Sequence, residues 1–194
     1  MNFYRTEFGK KIMEEERKYV SKALTGCKKI LSVGCGPGFL ETELMKRGTH
    51  EITGLDISEE MLEQVSNPLE TVLGTAEKLP FKNETFDAVL FVTSLEFIDD
   101  YEKAVLEASR VLQSNGKIVV LILNPDSNYF KEKLKKEISY FHKIKHTNLD
   151  ELCSFLKKCF FIEDEYFLGI KDKIIFSSCD KRIASLYAIR GVKK

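Results

Sequence analysis

The sequence predicts an α/β protein built on a doubly wound, mostly parallel sheet, and three observations lead there. Short, largely apolar runs at Ile30 to Val33, Ile52 to Leu55, Thr71 to Leu73, Ala88 to Val92 and Ile118 to Leu123 suit strands buried on both faces. Helical patterns separate most of them, and strands that alternate with helices build parallel sheets. The first run passes straight into a glycine-rich turn, Gly34-Cys35-Gly36-Pro37-Gly38.

That turn is the first chemical signal. A chain that leaves a strand, passes close beneath a ligand and starts a helix needs positions free of side chains, and the helix then turns free N–H groups toward the ligand. Asp56 closes the second apolar run and is an acceptor-only carboxylate suited to two ribose hydroxyls. The pairing reads as a nucleoside-cofactor site. A dinucleotide fingerprint, G-x-G-x-x-G, would put its third glycine at Phe39, whose bulk would crowd helix packing and a pyrophosphate.

Later elements follow the same logic. Ser58 is expected to cap a helix carrying Met61, Leu62 and Val65, with Glu59 and Glu60 set against the helix dipole. Tyr101, Ala104, Val105, Ala108, Val111 and Leu112 recur at helical spacing, and Asn115-Gly116 is expected to stop that helix in the left-handed region. Asn124-Pro125-Asp126-Ser127-Asn128 is turn chemistry. Thr147-Asn148-Leu149-Asp150 opens a further helix as a capping box, and that helix buries Leu152, Cys153, Phe155 and Leu156. Phe160 to Leu168 and Ala184 to Arg190 read as the last two strands.

The chain resembles the class I S-adenosylmethionine-dependent methyltransferases, in particular a small group with a G-C-G-x-G loop, an acidic second strand and a D/T-A-E-x-L-P-F segment. Here these stand as Gly34 to Gly38, Ile52 to Ile57, and Thr75-Ala76-Glu77-Lys78-Leu79-Pro80-Phe81. Phe86-Asp87-Ala88-Val89-Leu90 and the stretch from Arg110 to Lys117 are similar to that family's fourth strand and the turn before its fifth. The resemblance implies a Rossmann-like, seven-stranded sheet with an antiparallel last strand. It implies S-adenosylmethionine as cofactor, held by Ser32, Gly34, Cys35, Gly36, Gly38, Asp56, Ile57, Thr75, Ala76, Glu77, Val92 and Thr93. Gly34, Gly36 and Gly38 would pass under the methionine part, Asp56 would hold the ribose, Ile57 would pack on the adenine and Ala76 would offer it a backbone N–H. Ser32 and Thr75 stand where many members carry an acidic residue, and a hydroxyl brings no charge to either place.

One domain over residues 1–194 is expected: an N-terminal helical cover (1–27), a cofactor-binding core (28–123), an insert or lid (124–146), and a C-terminal helix with the last two strands (147–194). With 43% hydrophobic residues, no run of membrane-spanning length and no apolar signal-peptide core near Met1, a cytoplasmic enzyme is expected. Lys plus Arg and Asp plus Glu number 30 each, so no global field draws nucleic acid or a membrane. The five cysteines include no C-x-x-C pair, and His142 and His146, expected on one helix face, have no third ligand at matching spacing, so no metal is expected.

Lys131, Lys133, Lys135, Lys136, Lys143 and Lys145 crowd the insert, either as a solvated helix face or as a site for an anionic substrate or partner. Residues 125–145 read as a mobile cover over the acceptor or as an amphipathic helix packed on the sheet. The partner expected is a small-molecule acceptor, covered by Phe3 to Phe8, Thr93 to Phe97 and this insert. Methyl transfer from a sulfonium needs positioning first; where a base is needed, Glu96, Tyr140 and His142 are the candidates. The alternatives are a non-catalytic S-adenosylmethionine-binding regulatory or partner subunit and, behind it, an NAD-dependent oxidoreductase.

Overall fold

The computed structural model describes residues 3–65 and 68–194; Met1 and Asn2, at the start of the expected N-terminal cover, and Ser66 and Asn67 lie outside the described residues. The first apolar run becomes strand β1 (Lys29–Val33), which takes a parallel neighbour on each side, β2 (Glu51–Asp56) and β4 (Phe86–Val92). Beyond β2 lies β3 (Glu70–Leu73), and beyond β4 lies β5 (Leu112–Leu123), both parallel. The last strands, β6 (Phe160–Lys171), β7 (Ile174–Phe176) and β8 (Ala184–Lys193), complete the order β3-β2-β1-β4-β5-β8-β6-β7. Strand β8 slots antiparallel between β5 and β6, as expected of the last strand. The short β7, paired antiparallel with β6, makes eight strands among the described residues where seven were expected.

Because side chains alternate along a strand, β1 feeds two cores. Ile30 packs with Val20 and Leu24 near helix α1 (Glu7–Ala23) and with Leu40 and Leu44 of α2 (Phe39–Arg47). Leu31 and Val33 face the other way, into the layer of α4 (Tyr101–Val111) and α6 (Leu149–Cys159). Helices on both faces explain why the central strands are apolar throughout. The chain order reverses between β1 and β4, and a parallel sheet opens a crevice at such a switch point.

Local chemistry starts the helices where the sequence marks them. Ser58 accepts from Met61 N, Asp100 from Lys103 N and Asn148 from Glu151 N. The helix after Ser58, α3 (Glu59–Leu62), is a single turn, so Val65 falls beyond it. Two expectations are corrected. Asn115 does take a positive φ of 60°, but α4 has already ended at Val111; the turn lies in a bulge of β5, where Leu112 pairs with Phe86 and Lys117 with Ala88. β3 is mostly exposed rather than buried on both faces, because it is a short edge strand. No helix among the described residues is long and apolar enough to cross a membrane.

Leu90 is fully buried in the α1 and α2 layer, whereas Leu106 on α4 is 53% exposed. Leu90→Ala is expected to destabilise the protein by about 2–5 kcal/mol, and Leu106→Ala by about 0.5 kcal/mol or less. Urea unfolding measures both; equal losses would contradict this assignment of the core.

Candidate active site

The glycine turn is held from the neighbouring strand. Gly34 N and Cys35 N both donate to Leu55 O, at 2.7 and 3.1 Å. Asp56 accepts from Gly36 N through Oδ2 at 2.7 Å and from Ser58 N through Oδ1 at 2.9 Å. Gly34 has a φ of +74°, and a Cβ there would stand 2.4 Å from Ser94 Cβ. Gly36, at φ +52°, differs: a Cβ would meet nothing within 4 Å, so the loop presents bare backbone to open space. Gly38 starts α2 in the left-handed region, where a Cβ would lie 2.4 Å from Leu69 Cδ2.

That open space belongs to a cavity of about 1160 Å³ along the carboxyl edge of the sheet. Asp56, Ile57, Thr75, Ala76 and Glu77 line one end, and Gly34, Cys35, Gly36, Val92 and Thr93 line the middle. Ile57 is 73% exposed there. Beyond the middle, over the ends of β5, β8 and β6, the wall consists of Leu123, Ser185, Leu186 and Ile170, closed by Ile12 and Glu16 of α1 and by Tyr129. The structure thus brings together ten of the twelve residues expected around the cofactor. Gly38 and Ser32 lie behind the wall, and Ser32 Oγ donates to Glu41 Oε1 at 2.6 Å. A carboxylate therefore does stand beside the loop, but it comes from α2.

Thr93 is a strained point. This β-branched residue has a φ of 46° at the end of β4, held by Thr93 N donating to Leu121 O and by Ser94 Oγ donating to Val33 O. Such strain persists only where the surroundings over-determine it. The Cys35 thiol is buried and its pKa is raised by that burial and by Glu41 and Asp56, which suits a small residue in a tight turn rather than a nucleophile.

The candidate bases are placed differently from one another. Tyr140 lines the cavity and stacks on Phe97, while burial raises its pKa. Glu96 is fully buried outside the cavity wall: Oε1 accepts from Leu123 N, Oε2 has no partner among the described residues, and burial lifts its pKa to about 7. His142 turns Nε2 to Leu134 O and His146 turns Nε2 to Ile98 O. The two histidines do not share a helix, since a 3-10 turn (Tyr140–Lys143) holds only the first.

Two carboxylates on the cavity wall escaped the sequence reading. Glu16 is 2% exposed and Glu41 3% exposed. Burial raises the pKa of both; Glu16 reaches about 7, with a contribution from Glu41 and a counteracting hydrogen bond from Tyr4. The available signal was helical spacing: Ile12, Glu16 and Val20 recur every fourth residue on the buried stripe of α1.

Fold and site together define a nucleoside-binding protein of the doubly wound class, and comparison with known proteins narrows this further. A family described as a methyltransferase domain matches residues 31–120. An uncharacterized protein of Methanocaldococcus jannaschii is 29% identical over 95% of this chain and 84% of its own length. The demethylmenaquinone methyltransferase of Thermotoga maritima is 34% identical, over 55% of this chain and 48% of its own, so the chain spans about half of that relative. A crystal structure from Thermotoga maritima, described as an S-adenosylmethionine-dependent methyltransferase and possible histamine N-methyltransferase, superposes with a TM-score of 0.79 at 27% identity. It covers 94% of this chain and 89% of that one. These findings support a class I S-adenosylmethionine-dependent methyltransferase with S-adenosylmethionine as its cofactor.

The buried glutamates make stability depend on pH. Glu96 has a folded pKa of about 7 against an unfolded value near 4.5, so the folded state holds the extra proton between them. Its contribution is fully present below about pH 4.5 and is lost as pH rises through about 7. Glu16 acts in the same direction. Glu96→Gln is expected to flatten the fall in melting temperature across that window, and an unchanged slope would mean that Glu96 ionises as if exposed.

Proposed function

We propose that this methyltransferase acts on a small-molecule acceptor, with catalysis mainly by positioning. The observation that carries the reading is the reach of the cavity. At about 1160 Å³ it exceeds the ~300–1,000 Å³ of an ordinary ligand pocket, and its far end lies well past the glycine loop and Asp56. One ligand does not need both ends. The demethylmenaquinone and histamine for which two relatives are named are themselves small, which supports the reading.

The residues present fit the cofactor. Asp56 has lone pairs left for two ribose hydroxyls, Ile57 offers apolar area to the adenine, and Ala76 N–H with Thr75 faces its edge. Gly36 leaves room for the methionine part, and Glu41 sets a carboxyl group beside the loop where Ser32 has only a hydroxyl. When bound, S-adenosylmethionine supplies a methyl group on a positively charged sulfur. The chain's task is then to hold a nucleophile about 3 Å from that methyl, which is worth roughly 7–11 kcal/mol, and to keep water out with α1 and the 125–145 segment.

The test is release of S-adenosylhomocysteine from S-adenosylmethionine over a panel of small amines, thiols, phenols and carboxylates. Turnover with at least one acceptor is expected; tight cofactor binding with no turnover on any would instead favour a non-catalytic subunit. Asp56→Ala is expected to weaken cofactor binding by about 1.5–3 kcal/mol in calorimetric titration, since charge-assisted hydrogen bonds are lost. An unchanged dissociation constant in the folded mutant would remove Asp56 from the site. Gly36→Val is expected to abolish binding, because a β-branched residue is strained at φ +52° and its side chain would fill the open space. Normal binding by that mutant would reduce the loop to a strand-to-helix turn.

A further inference from the structure

We propose that Lys133 and Lys136, with Lys173 near them, select an acceptor that carries a carboxylate or phosphate group, and that they hold this group at the cavity rim while the acceptor's apolar body lies beneath. The proposal rests on the reading of the cavity's far end as the acceptor's place. Lys133 and Lys136 both line the cavity, and Lys136 N donates to Lys133 O at 3.3 Å, so a single turn of chain carries both cations. Lys133 is half-buried, with its Nζ 4.9 Å from the centre of the Tyr129 ring. That ring packs on a buried cluster that includes Ile12, Ile170 and Leu186, the residues of the far wall. Contact therefore runs from Lys133 through Tyr129 to the place assigned to the acceptor. Lys173 comes from a separate element, the turn between β6 and β7, where Ile170 of the same wall pairs with Ile175.

Charge selects the ligand. None of these three lysines makes an ion pair among the described residues, whereas Lys145, also on the cavity wall, is matched by Asp99. Burial and the charges of Lys136 and Lys173 hold Lys133 below the usual lysine range, and Glu132, its neighbour in the chain, acts the other way. Like charges gathered without an ion-pair partner repel one another, and an anion among them relieves that repulsion. A neutral alcohol or thiol leaves it in place, and an ammonium group adds to it. The remaining lysines of the insert belong to its solvated face. Lys131 donates to Asp126 O, Lys143 lies over Tyr140, and neither they nor Lys135 line the cavity.

The lining beneath the cations suits an aromatic or aliphatic body. Phe141 stands edge-on to Tyr129 with ring centres 6.0 Å apart, and Ile170 and Leu186 continue the apolar wall toward the sheet. A lysine stem lies along such surface while its charged head stays wet, which places the cations at the rim and the apolar contacts below. Glu16 is the carboxyl group on this side of the cavity, but burial lifts it to about 7, and its charge acts on Tyr129 rather than on Lys133.

The test is calorimetric titration of protein saturated with S-adenosylhomocysteine, using 3-phenylpropanoate and phenyl phosphate beside 3-phenylpropan-1-ol and 3-phenylpropylamine. At least one of the two acids is expected to bind about tenfold or more tightly than the alcohol, and the amine more weakly than either acid. Added salt is expected to narrow these differences. Lys133→Met keeps an apolar stem over Tyr129 and Lys136→Gln has no ion pair to lose, so both variants are expected to melt close to wild type. Each is expected to weaken the acids about threefold to tenfold with the alcohol unchanged, and the double variant to abolish the preference. Should the double variant not fold, the wild-type comparison and the single variants decide. Equal binding of acids and alcohol, or a preference that survives in the variants, overturns the proposal. Turnover of a neutral or amine acceptor with no binding of either acid overturns it too, and leaves the broader function standing. So does sedimentation with phosphatidylglycerol vesicles but not phosphatidylcholine vesicles, lost in the double variant and without binding of either acid, which would assign the cations to a lipid surface. Failure of wild-type protein to bind S-adenosylhomocysteine would instead sink the cofactor reading, and this proposal with it.

Discussion

Asp56 gathers two backbone N–H groups that belong to different turns, Gly36 in the loop after β1 and Ser58 at the start of α3. A carboxylate accepting such bonds makes them shorter and stronger than neutral ones, so one side chain ties the glycine loop to the end of the next strand. The tie works because β1 and β2 are parallel and in register, with Val33 opposite Leu55, which sets both strand ends at the same height. These bonds hold the loop's backbone in the shape that faces the cavity. Asp56 is thus both a structural clamp and a candidate contact, roles that its position at a strand end allowed the sequence to suggest only singly.

The same crevice carries a charge imbalance. Glu16 and Glu41 are withdrawn from water with hydroxyl partners and, among the described residues, without an ion pair, while the ion pairs of α1, such as Arg17 with Glu14, lie toward solvent. Burying a carboxylate without a counter-charge weakens the fold, and the protein carries that cost at pH values where the groups ionise.

Whatever depends on backbone chemistry was legible in the sequence. The glycine loop, Asp56 and the cap at Ser58 each announce a local requirement that few residues meet, and the structure uses them where they stand; the helix after Thr147 opens one residue later than its capping box implies, because Asn148 and not Thr147 is the cap. Asn115-Gly116 shows the limit: its left-handed turn is real, but a bulge in β5 and a helix end demand the same residues, so local chemistry does not say which. β3 misled because edge position is a property of the sheet and not of Thr71 to Leu73. Glu16 and Glu41 were overlooked because each sits within an ordinary helical pattern. Their meaning appears only when α1 and α2 converge on one cavity.

The 125–145 segment is not one continuous amphipathic helix. It folds as a seven-residue helix, α5 (Asn128–Leu134), followed by the 3-10 turn, and both ends are tied down. At its start Asn124 Nδ2 donates to Lys181 O and Ala184 O, Ser127 caps the helix, and Phe130 is buried. At its end Lys145 N and His146 N both donate to Glu96 O, and Phe141 packs edge-on against Phe130. Between these anchors lie residues 135–139, with Ile138 94% exposed although it lines the cavity mouth. The anchors themselves rest on the turn after β4 and on the segment leading into β8, and Thr93, Ser94 and Ser185 of those two regions also line the cavity.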